Sequence, residues 1–157
     1  MKLFAHVCAT GAANFMGRLF SAGVALPVFK GRVLLALAIN ILATGITVIF
    51  LVNCQSMNAF MVVSAIFGLL TGPSMAQATT FLREVVTQPH FDLAYGIDIG
   101  LYGLTSFVGP WVVETLVEAC GNYYMPFYMA AVMFFISALL NVCAHFMRLL
   151  DLHAEKC

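Results

Sequence analysis

The sequence predicts an all-α membrane protein, a bundle of five transmembrane helices, and three observations lead there. Of its 157 residues 62% are hydrophobic and 9% are charged, where soluble domains run at roughly half apolar and a quarter charged. The apolar residues fall into five runs, each long enough to cross a hydrocarbon core that takes about 20 helical residues. The basic residues mark alternate gaps. Lys30 and Arg32 follow the first run, Arg83 the third, and Arg148 and Lys156 the fifth, whereas 52–57 and 118–124 hold no Lys or Arg. By the positive-inside rule the basic gaps and the C-terminus face the cytoplasm, and the N-terminus, with Lys2, lies outside. Formal net charge is zero and like charges never cluster, so the lipid bilayer is the expected partner and nucleic acid is not.

The runs are Leu3 to Leu26, Val33 to Val52, Ala59 to Leu82, Leu93 to Val117 and Tyr124 to Leu149, followed by a short cytoplasmic tail, 150–157. Lipid offers the backbone no hydrogen bonds, and a barrel needs strands of about ten alternating residues, so each run reads as a helix. Connections are short. The longest is Arg83 to Asp92, around Pro89, which leaves no room for a soluble domain, and the chain reads as one integral membrane domain over 1–157. Met1 to Phe4 shows neither a charged n-region nor a cleavage site, so the odd span count and outside N-terminus are not explained by a signal peptide.

Polar residues within the runs are where function should show, because ionisable groups at bilayer depth are costly and face a bundle interior or an aqueous path. Arg18 shares a helical face with Asn14 and Gly11, at spacings of four and three. Its planar fork could hold a carboxylate by two parallel bonds, or it could snorkel to the headgroups. Asp98, near the start of the fourth run, has no basic residue within a turn or two. It is a candidate proton carrier, weighed against an interfacial Asp wetted by the cytoplasm. Gly68-x-x-x-Gly72-Pro73 interrupts the third run, and Gly96-x-x-x-Gly100 with Gly109-Pro110 the fourth. Such sites make helix breaks and gates in transporters, or simply close packing. Beside them Ser74 and Gln77, and Tyr102 and Thr105, could line a cavity or bridge helices. Asn40, Thr44 and Thr47, and Ser137, Asn141 and His145, form milder stripes, His145 near the basic end.

Five cysteines make an odd number, without Cys/His spacing for a metal. Cys54 and Cys120 share the predicted outer face, where an oxidising compartment would permit a bridge and where chance also places cysteines together. No Asn-x-Ser/Thr sequon occurs. No constellation has metal or nucleophile spacing, so neither an enzyme nor a cofactor is expected.

Phe91 to Ala131 resembles the last two helices of the monocarboxylate transporter family, in the major facilitator superfamily. The matching features are Ala94 and Gly96 at the helix entry, Gly109-Pro110, acidic Glu118, Gly121 and Tyr123, and Phe127, Tyr128 and Ala131. The Gly-rich third run and Gly17-Arg18 match the family's helices ten and eight, so the resemblance covers essentially the whole chain, as helices eight to twelve. It implies a partial major facilitator fold, alternating access and transport of a small organic solute, with Arg18 on the substrate's anionic group. It also implies a plasma-membrane location, a single-span ancillary glycoprotein as partner, and a missing N-terminal half with helix seven. This chain would then be a fragment or a truncated isoform holding at most half a cavity. Asn14 stands where the proton-coupled members carry Asp, and an amide cannot exchange a proton, so uncoupled or differently coupled transport is expected. The rival is a non-transporting scaffold acting through helix association.

Overall fold

A computed structural model describes residues 2–22 and 33–154. They form five helices: α1 (Lys2–Phe20), α2 (Val33–Asn53), α3 (Met57–Val85), α4 (Gln88–Cys120) and α5 (Tyr124–Ala154). The chain is an all-α membrane protein, with α2 to α5 each long and apolar enough to cross a bilayer. α1, at 19 residues, is not among those four; Asn14 and Arg18 interrupt its apolar sequence. The expected end of the first run at 23–26, the basic pair Lys30 and Arg32, and Lys156 lie outside the described residues.

Four helix ends differ most from the expected boundaries. The longest connection, drawn from Arg83 to Asp92, shrinks to Val86 and Thr87, because α3 continues through Val85 and α4 begins at Gln88. Pro89 does not oppose this, since a first-turn residue needs no intrahelical N–H and the ring already has helical φ. Here the Arg83 guanidinium lies over the Phe91 ring, 5.1 Å from its centre, and Phe91 stacks on Tyr95. α4 extends past Val117 to Cys120 and stops at Gly121, whose φ of 67° is open to a residue without Cβ; its N–H donates to the Val117 carbonyl at 2.9 Å. Asn122 Oδ1 then accepts from the N–H groups of Tyr124 and Met125, capping α5. α5 runs on to Ala154, beyond the expected Leu149.

The expected breaks at Gly72-Pro73 and Gly109-Pro110 do not interrupt helix: α3 is helical through Pro73 and α4 through Pro110. A proline removes one ladder bond and leaves the rest in place. Gly68 and Gly72 instead set the approach of α1 to α3. A Cβ on Gly68 would strike the Thr10 carbonyl, and one on Gly72 would strike the Asn14 carbonyl and come within 3.0 Å of the Arg18 nitrogen. Gly17 faces back, where a Cβ would meet the Leu69 carbonyl and Pro73 Cδ at 2.9 Å. Backbone thus lies against backbone, the close contact by which membrane helices gain van der Waals energy where lipid supplies no hydrophobic drive.

α2 is the central helix, packed against both α3 and α5. Val33, Leu34, Leu37, Ala38 and Val48 are buried on it, and Gly45 sits against Phe134 and Ala131 of α5. α4 is the outlier. It meets its chain neighbours sparsely and, among the described residues, buries none of its own; Phe107 is 84% exposed, and a Cβ at Gly96, Gly100, Gly103 or Gly109 would meet no described residue within 4 Å.

Candidate functional site

The polar groups at the α1/α3 contact form one continuous network. Because Gly72 brings the two backbones together at Asn14, the Asn14 amide reaches across and its Nδ2 donates to Thr71 Oγ1 at 2.9 Å. The Thr71 hydroxyl is anchored in turn on its own helix, where the Phe67 and Gly68 carbonyls each lie 3.0 Å away. On the other side of the amide, Asn14 Oδ1 accepts from Arg18 Nε at 3.0 Å, the expected one-turn pair on a shared face. The result holds the guanidinium by one edge. Arg18 is exposed, and its terminal Nη groups have no partner among the described residues. A cation held at Nε with both Nη groups outward can offer two donors to an anionic oxygen pair.

At Gly11, the third residue of the expected α1 face, an added Cβ would meet no described residue within 4 Å. Thr71 was not expected from sequence. A lone Thr beside Gly-Pro looks like any helix Thr bonding its own i−4 carbonyl, and only the α1 approach makes it a partner of Asn14. The Thr71→Val variant should leave Asn14 Nδ2 unpaired and lower stability by about 0.6 kcal/mol, a typical value for a hydrogen bond between membrane helices. Reversible unfolding in mixed micelles measures it, and no change would show that the Asn14–Thr71 bond contributes nothing.

The other candidates are dispersed. Gln77, a candidate to line a cavity or bridge helices, is 6% exposed and lines a cavity among α1, α2 and α3 that includes neither Arg18 nor Asn14 in its wall. Asp98 and Tyr102 lie on α4, both exposed, Tyr102 at 54%, and neither side chain makes a hydrogen bond or ion pair among the described residues. Thr105 bonds only to its own helix, its hydroxyl lying 3.0 Å from the Leu101 carbonyl and 2.9 Å from that of Tyr102. Ser74 bridges helices: Asn40 Nδ2 of α2 donates to Ser74 Oγ and to the Leu70 carbonyl, both at 3.0 Å. Thr44 and Thr47 turn their hydroxyls onto the Asn40 and Ala43 carbonyls at 2.8 Å, which satisfies them inside the bundle. Asn141 likewise bonds the Ser137 carbonyl, and His145 lies edge-on to Phe146. Cys54 and Cys120 are free thiols. No protein-family model, curated protein or solved structure matches this chain.

Proposed function

We propose that this chain is part of a transporter for a small organic anion or an amphiphilic, monocarboxylate-like solute, working by alternating access. It would supply part of the C-terminal half of a major facilitator fold. The observation that carries the reading is the Arg18 guanidinium, tethered to Asn14 at 3.0 Å with its Nη groups unpartnered among the described residues. A cation that merely reached for headgroups would need no such tether. In this reading Arg18 binds the anionic group and Asn14 sets its orientation through Thr71. No proton is exchanged at Asn14, and the C-terminus is cytoplasmic in a plasma-membrane protein. The facing half of the cavity, and a single-span ancillary glycoprotein, would be its partners.

The bare surface of α4 favours helix association as the second reading, since Gly96, Gly100 and Gly103 leave room for another backbone to approach. Association alone, however, gives no role to a tethered Arg.

The test is accessibility from water. In a cysteine-free polypeptide that carries both halves of the proposed cavity, Gly11→Cys is expected to react with an anionic, membrane-impermeant thiosulfonate, and excess lactate or an aromatic monocarboxylate should slow the reaction at least two-fold. A cysteine there that stays inert while reacting with lipid-soluble maleimide places this face against lipid, and the transport reading falls.

A further inference from the structure

The cavity that holds Gln77 lies apart from the Arg18 network. It measures about 770 Å³, within the range of small-molecule pockets, and among the described residues Gly17, Phe20, Ala36, Ala43, Pro73 and Asn40 share its wall with Gln77. Its lining is almost wholly apolar, with small side chains from three helices creating the space. Met16, Leu19, Ile39 and Leu69 also line it and are themselves exposed on an apolar surface, so it opens toward hydrocarbon.

Within this wall Gln77 is anomalous. It is 6% exposed, and its Oε1 is enclosed without a hydrogen-bond partner among the described residues. A primary amide out of water without a partner is destabilising, and native structures rarely retain one without a reason. Asn40, the other polar residue present, is already committed through Nδ2 to Leu70 and Ser74. Gln77 is therefore the polar anchor that the cavity has to offer. Oε1 is thus open to a donor, and a half-turn of the amide would offer Nε2 in its place without breaking a bond to Oε1.

We propose that this cavity binds an uncharged membrane amphiphile whose polar group is a single hydroxyl, hydrogen-bonded to the Gln77 amide. A hydroxyl both donates and accepts and so satisfies either face of the amide. A carboxylate does not fit, because among the described residues no cationic side chain lines the wall and its charge would be uncompensated. The opening toward lipid makes the bilayer the source of the ligand. The site stands independently of transport, since it shares no residue with the Arg18–Asn14–Thr71 network.

The test is photolabelling of the whole chain in nanodiscs with a diazirine-bearing hexadecanol. Label is expected on α1, α2 and α3 peptides, displaced by unlabelled hexadecanol and not by palmitate. Gln77→Leu should reduce labelling at least five-fold while leaving helix content and monodispersity intact, because it removes a buried amide oxygen that has no partner among the described residues. Ala43→Phe, which fills the cavity without touching Gln77, should abolish labelling. Equal displacement by palmitate, labelling spread evenly over α4 and α5, or labelling unchanged in both variants would overturn the proposal.

Discussion

Gly72→Leu is expected to separate α1 from α3. The Leu side chain would have to occupy the position of the Asn14 carbonyl, with the Arg18 nitrogen 3.0 Å from its Cβ, and both obstacles are backbone that cannot turn aside. Overpacking typically costs about 1–3 kcal/mol per site, and Gly68→Leu, which strikes the Thr10 carbonyl, should add a comparable amount. The matched control is Gly100→Leu. The same chemical change on α4 meets no described residue within 4 Å and replaces a poor helix former with a good one, so stability should hold or rise. Two measurements read the outcome: reversible unfolding in mixed micelles, and the distance between nitroxides at the exposed positions Phe15 and Met75. If Gly72→Leu and Gly100→Leu behave alike, the close α1/α3 approach does not organise the bundle.

Arg18→Lys is expected to reduce uptake at least ten-fold at unchanged surface expression, measured in a polypeptide that carries both halves of the proposed cavity. Lysine keeps the charge and loses the fork: one ammonium cannot bond Asn14 Oδ1 and also present two parallel donors to an anionic group. A snorkelling role would be served equally well by Lys. The companion variant, Asn14→Asp, places a carboxylate where Arg18 Nε now meets an amide oxygen at 3.0 Å, and it loses the donation to Thr71. Ionised, the new carboxylate competes with an anionic substrate for Arg18; protonated, it releases the guanidinium. Uptake should therefore fall near neutral pH and recover as the pH drops through the carboxylate's titration, giving an acid-stimulated profile that the native amide cannot produce. Uptake and pH profile unaltered in both variants would remove Arg18 from the substrate site.

Membrane class, helix content and the approximate helix centres were legible in the sequence, because a bilayer imposes one secondary structure and one minimum length on any apolar run. The pairing of Arg18 with Asn14 was legible too, since residues four apart on a helix are neighbours whatever surrounds them. Helix ends were less so: α4 starts at Gln88 and ends at Cys120 because first-turn proline and left-handed glycine act at positions that hydropathy does not register. Which glycines matter was decided by tertiary structure alone. Gly68-x-x-x-Gly72 and Gly96-x-x-x-Gly100 have the same spacing, yet the first pair lies against α1 backbone and the second against no described residue within 4 Å. The partnership of Thr71 with Asn14, and the separation of Gln77 from Arg18 into another cavity, were settled in the same way. Periodicity places a residue on a face of its own helix. Which helix comes to that face depends on packing between segments far apart in sequence, and in lipid that packing turns on fractions of an ångström between backbones.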